Sequence, residues 1–520
     1  RPAVRSGGRP ADAGPGRSEE TEPMNIAEHV ARIARARPQH PALFFEGCPL
    51  SYETLDRCSS ALADAMAKTG VSAGDRIALY LPNIPAFVLA YLASLKLGAI
   101  AVSVNSRLKA EEVAYILRDS SPRIVFTTAG LAPNVSPLQC PSVQHLICCE
   151  GGSAIADPLE SWLDRGSEQR PIRAMGPDEP AVILYSSGTT GFPKGVTLSH
   201  FNVISNARTA ARSWACQPDD RLAGLLPLFH AFGQNSIMNA CFEAGATLLL
   251  FRRSSTDALL RALRRARATL FFAVPGVYLA LLDANIQRTE LGPIRSFFST
   301  GATLPGRASR GWPERFGQAI QEGYGLTECA SLAACSDANH PRPGSVGRAV
   351  EGFEIRIFGE GGQEVPRGAW GEICIRGPGV MIGYWRKPED TEQALRGGWL
   401  HSGDIGTMDD EGCLSIVDRV KDMIRIAGLK VWPAEVEQVL DRHPAVRELA
   451  VHGQPHPDKG ESVRATVVLR AGSHANAEEL IAFCRERLAG VKVPERIDFV
   501  AHLPRSTTGR IIKRLLRARA

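Results

Sequence analysis

Short apolar runs alternate with longer amphipathic stretches through much of the chain. Residues 76–81, 100–104 and 123–127 read as strands, with helices predicted at 85–97 and 109–118. Upstream, 26–34 predicts a helix, and 42–45 with 50–52 a hairpin. Ser51 is placed to cap a helix that runs to Met66. The alternation resumes with strands at 246–251, 269–274 and 294–299 and helices at 256–266 and 277–284. Strands separated by helices of about ten residues predict an α/β protein whose parallel sheet is covered on both faces.

The texture changes near residue 345. Glycines become frequent and the apolar runs shorten to 353–358, 371–376 and 413–417, which predicts a small antiparallel β subdomain. Beyond Asp418, helices are expected at 433–441 and 477–488 and strands near 446–452 and 463–469. The expected organisation is a large N-terminal domain over 24–418, β-rich from about 345, and a small mobile α+β domain over 419–520. Residues 1–23 are rich in Arg, Gly, Pro, Ala and Glu without an apolar run and are expected to be a disordered tail, with Met24 the natural start.

Composition narrows the function classes. A chain of 520 residues is too long for one ordinary core. The net charge of +5 is small for this length, and the basic stretch from Arg505 to Arg519 has no interleaved aromatics, so nucleic acid is not an expected partner. No apolar stretch approaches the length of a membrane span. The 12 cysteines are scattered, with no C-x-x-C pair, which fits a cytoplasmic protein.

Candidate chemistry begins at Ser186-Ser187-Gly188-Thr189-Thr190-Gly191-Phe192-Pro193-Lys194-Gly195. An apolar run precedes it and a helix-like stretch from His200 follows, so it reads as a loop between strand and helix. Glycines let backbone N–H groups approach an anion, hydroxyls add donors and Lys194 adds positive charge, which together suit a nucleoside triphosphate. It is not a Walker loop, since Pro193 and Gly195 flank the lysine. In Gly323-Tyr324-Gly325-Leu326-Thr327-Glu328, a tyrosine between glycines can stack an adenine. The hydroxyl and carboxylate that follow suit a phosphate and its Mg²⁺. In Trp399-Leu400-His401-Ser402-Gly403-Asp404, the carboxylate is a natural acceptor for two ribose hydroxyls.

These segments, in this order, resemble the adenylate-forming superfamily, in its acyl-CoA synthetase branch. The resemblance runs from Met24 to the C-terminus. It implies that Thr327 and Glu328 meet the α-phosphate and metal, with Thr190 a second metal contact. It implies that Gly301 and Ala302, in Ser299-Thr300-Gly301-Ala302-Thr303-Leu304-Pro305, line the adenine and acyl pocket. Asp404 and Arg419 would hold the ribose and phosphate, Lys421 would be the hinge, and Gly428 and Lys430 would line the thiol tunnel. His230, in Pro227-Leu228-Phe229-His230, resembles an aromatic gate beside the acyl pocket. Asn235, Met238 and Ala302 are expected at that pocket, and residues 230–239 contain no acid to hold an amino group.

The implied activity is that of a ligase that activates a fatty or aryl carboxylic acid with Mg·ATP and passes the acyl group to coenzyme A. One departure stands out. Arg510 occupies the place of the family's adenylating lysine, and a planar guanidinium does not replace a compact ammonium. Lys513, one turn on, could substitute in part. Alternatives are an acyl-AMP ligase loading a carrier protein, a weakly active nucleotide-binding homologue and, more remotely, a luciferase-like oxidase. Oligomeric state is not legible.

Overall fold

Two large sheets share one apolar interior. One runs edge to edge as Gly383–Tyr384, Lys194–Ser199, Pro180–Ser186, Ile100–Ser103, Arg76–Leu79, Ile124–Thr127, His145–Cys148 and Asp157–Pro158. Its central strands pair parallel. The other places Thr247–Leu250, Arg221–Gly224, Leu270–Ala273, Ser296–Ser299 and Ile320–Tyr324 in parallel register, with antiparallel strands at both edges. This computed structural model describes residues 24–135, 140–186, 193–252, 255–284, 286–337, 340–419, 422–426, 429–506 and 511–517.

The helix Pro85–Lys96 is apolar on every side and buried from Ala86 onward, as a helix covered all round must be. Its cluster includes Leu79 and Val182 of one sheet and Leu248 and Leu270 of the other. Separate clusters cover the outer faces. Tyr278 and Trp312 pack outside the second sheet, and Val113 and Ile116 outside the first. Ser51 does cap its helix, Tyr52–Lys68, by accepting from the Thr54 N–H.

The β subdomain is a four-stranded antiparallel sheet of Glu354–Phe358, Gly371–Arg376, Leu400–Met408 and Leu414–Arg419. In the C-terminal domain, Val446–His456 and Gly460–Leu469 form a long antiparallel pair. Helices Pro433–Leu440 and Ala477–Arg485 cover it through Val436, Leu440, Leu480 and Cys484. Among the described residues no helix is long and apolar enough to cross a membrane.

The segment around residue 190 differs from expectation. It joins two antiparallel strands, Pro180–Ser186 and Lys194–Ser199, and the helix His200–Ser213 begins only after the second. The run from Lys194 to Ser199 is buried throughout and pairs with Pro180–Ser186 on one side and Gly383–Tyr384 on the other. Ser199 then caps the helix, accepting from the Asn202 N–H.

Candidate nucleotide site

Asp404 is presented by a bulge. Glu372 pairs with Ile405 and Cys374 with His401, so the strand Leu400–Met408 carries two extra residues across this interval. Gly403 turns the bulge with φ +69°, and its N–H donates to Glu372 Oε1 at 3.0 Å. Asp404 is buried. Its Oδ2 accepts from the Tyr324 hydroxyl at 3.0 Å, and its Oδ1 meets Arg419 Nε at 2.7 Å. Burial and the Asp404 charge push the Tyr324 phenol well up, so it is a neutral donor.

Tyr324 ends the strand Ile320–Tyr324, and the next turn packs tightly. A Cβ on Gly325 would run into the Ser331 carbonyl oxygen, so the turn requires glycine. Buried amides hold the far side. Asn235 Nδ2 donates to Ala330 O at 3.1 Å and Asn206 Nδ2 to Leu332 O at 2.9 Å. The turn delivers Thr327 and Glu328, both partly exposed. Glu328 Oε1 accepts from Ser186 Oγ at 3.0 Å and from the Tyr384 hydroxyl at 3.1 Å.

Ser186 and Lys194 face each other in register at the root of the hairpin. Lys194 is buried, pairs with Asp390, and lies 5.1 Å from the centre of the Tyr384 ring. One wall of the site therefore gathers Ser186, Lys194, Glu328, Tyr384 and Asp390. Tyr384 and Asp390 were not among the residues singled out from the sequence. An aromatic directly after Gly383, in a glycine-punctuated stretch, was the available signal.

A neighbouring turn holds Gly301 and Ala302. Gly301 has φ +85°, and Thr300 Oγ1 donates to Gly323 O at 3.3 Å, tying the turn to the tyrosine segment. Leu304 N–H donates to Glu322 Oε2 at 3.2 Å. Glu322 is buried, and burial raises its carboxyl to about 7. His230 is half-buried, and burial reinforced by the Arg107 charge lowers its imidazole to about 4, so it is neutral at pH 7. Asn235 and Met238 are fully buried in the wide helical stretch Phe232–Asn239.

The AMP-binding enzyme model matches residues 30–385, and the AMP-binding enzyme C-terminal domain model matches 435–510. The chain belongs to the AMP-binding enzyme family. A feruloyl-CoA synthase from an Amycolatopsis species is 35% identical over 499 residues, which cover 95% of this chain and 99% of that protein. A long-chain-fatty-acid–CoA ligase from Bacillus subtilis is 33% identical, covering 95% and 94%. ATP-bound MatB from Rhodopseudomonas palustris superposes with a TM-score of 0.90 at 32% identity, covering 95% and 99%. The chain is an ATP-dependent, AMP-forming carboxylic acid–CoA ligase of the acyl-CoA synthetase branch.

Two lysines of the C-terminal domain are engaged in ion pairs. Lys430, exposed on the hairpin of Ile424–Ile426 and Leu429–Val431, forms an ion pair with Glu360 of the β subdomain. Lys513 is partly buried between Glu437 at 3.0 Å and Asp418 at 4.0 Å, whose charges raise its ammonium against the opposing effect of desolvation. Ser187, Gly188, Thr189, Thr190, Gly191, Lys421, Gly428 and Arg510 lie outside the described residues.

Proposed function

We propose that the nucleotide spans the two clusters, with its ribose at Asp404 and its phosphates at the wall of Ser186, Lys194 and Glu328. The supporting observation is that residues 323–328 reach both. Tyr324 bonds Asp404 at one end, and Glu328 meets Ser186 and Tyr384 at the other. Asp404 accepts two ribose hydroxyls, and Arg419 balances its charge.

Glu328 with the Ser186 and Tyr384 hydroxyls forms an all-oxygen donor group, which fits Mg²⁺; Thr190 is the second proposed contact. Bound there, the ion would offset phosphate charge. Lys194 leaves Asp390 for the phosphates. His230, neutral, stands beside the acyl pocket with Gly301 and Ala302. The substrate is a fatty or aryl carboxylate, which attacks the α-phosphate to give acyl-adenylate and pyrophosphate. The thiol of coenzyme A then displaces AMP. Residues 24–418 and 419–520 form the large and small domains, and the small one rotates between the two half-reactions, bringing Arg510 to the first and Lys430 to the second.

A panel of fatty and aryl acids with ATP, with and without coenzyme A, tests this reading. AMP formed in step with thioester is expected. AMP formation that needs a carrier protein, or ADP in place of AMP, would overturn it.

A further inference from the structure

The sheet behind Asp404 brings together three side chains of different ligand chemistry. Glu372 and Cys374 stand two residues apart on the strand Gly371–Arg376 and so share a face. His401 lies opposite Cys374 on the next strand. His401 Nδ1 is 2.8 Å from Glu372 Oε2 and 3.4 Å from Cys374 Sγ, and the three ligand atoms all lie within 4.8 Å of one another. Cys374 is buried, and His401 and Glu372 are partly exposed. Solvent can therefore reach the site from the carboxylate side.

A thiol, an imidazole and a carboxylate form a donor set that suits Zn²⁺ and its heavier relatives. It does not suit Mg²⁺, which takes oxygen ligands. We propose that Glu372, Cys374 and His401 form a binding site for a thiophilic divalent cation, Zn²⁺ or Cd²⁺, separate from the Mg-nucleotide wall.

The metal bonds to sulfur as the thiol proton leaves to solvent, and water completes its coordination. Arg396 Nη2 now lies 3.1 Å from Glu372 Oε2. Its side chain is 50% exposed, so it can withdraw to solvent when the cation takes over its charge. The other carboxylate oxygen holds Gly403 N–H at 3.0 Å and so fixes the bulge that carries Asp404. Drawing Glu372 and His401 onto a metal shifts both roots of that bulge, and nucleotide affinity falls. This coupling rests on the ribose role proposed for Asp404; the metal site itself does not.

The test titrates Cd²⁺ into the reduced full-length chain in excess Mg²⁺ and follows the ultraviolet thiolate-to-cadmium charge-transfer band. Wild type is expected to bind one equivalent that a chelator removes and that is absent from Cys374→Ser. The variant's affinity should fall at least roughly 100-fold, since even supporting residues outside the ligand set cost 10–100-fold. Cys374→Ala serves if the serine variant fails to fold. Cd²⁺ should weaken ATP binding about tenfold in wild type and leave Cys374→Ser unaffected, a step worth ~1.4 kcal/mol. Identical cadmium spectra for wild type and both variants would overturn the site. A Cys374-dependent band with unchanged ATP affinity would keep the metal site and overturn its coupling to the nucleotide, while Asp404→Asn tests the ribose role separately.

Discussion

Replacing Glu322 by Gln should stabilise the protein in a pH-dependent way. The carboxyl is buried beside the 301–304 turn, and its protonation midpoint rises from an ordinary 4.5 to about 7 because burial penalises the charge. Between those values the native state holds a proton that the unfolded chain has released, so wild-type stability falls as pH rises through the window. Below about 4.5 both states are protonated and the loss vanishes; above about 7 it is complete. At about 1.4 kcal/mol per pH unit, the full loss is about 3 kcal/mol. Glutamine keeps the shape and can still accept from Leu304 N–H, but it does not titrate. The variant's advantage should thus be small at pH 5 and reach about 3 kcal/mol at pH 8. For a cooperative unit of about 400 residues this is a difference of roughly 3–4 °C in midpoint. Parallel thermal melts at pH 5, 6.5 and 8 measure it. A midpoint difference that stays the same across the three pH values would refute the argument that Glu322 is buried as the neutral acid.

Other expectations concern the site itself. Asp404→Asn removes the charge that pairs with Arg419 and accepts from Tyr324. It should raise the KM for ATP in pyrophosphate exchange by roughly 10–100-fold, the value of a charged hydrogen bond. An unchanged KM would count against the ribose assignment. Glu328→Gln should lower the acid-dependent exchange rate by roughly 100-fold and shift the Mg²⁺ dependence upward. An unaltered Mg²⁺ profile would remove Glu328 from the metal site. Arg510→Lys should accelerate adenylation, by up to roughly 100-fold if the lysine restores a lost transition-state contact. Because Lys513 is held by Glu437 and Asp418, Lys513→Met should leave the exchange rate itself unchanged while lowering the melting midpoint.

Much of this architecture was legible because its strands are unbroken apolar runs. Arg76–Leu79, Ile100–Ser103 and Ile124–Thr127 lie within a residue or two of the expected bounds, since burial on both faces leaves no polar interruption. The strand Lys194–Ser199 was hidden by its neighbours. Six residues opening with a charge and closing with a cap resemble the approach to a helix, and only pairing with Pro180–Ser186 marks them as a strand. The local motif singles out Asp404 but does not show the nine-residue strand or the bulge that presents it. The bulge exists in register with Glu372 and Cys374, some thirty residues away. Tyr384, Asp390 and the Glu360 partner of Lys430 were missed for the same reason. Each acts through a contact across a sheet edge or between domains, and no local pattern encodes who lies opposite.

The most direct test of the central assignment is ATP–pyrophosphate exchange driven by fatty and aryl acids, with thioester and AMP followed after coenzyme A is added. Exchange that requires the acid, is weakened by Asp404→Asn through the KM for ATP and by Glu328→Gln through the rate, and yields AMP and thioester one for one is the predicted result. Acid-dependent exchange that neither substitution alters would contradict the account.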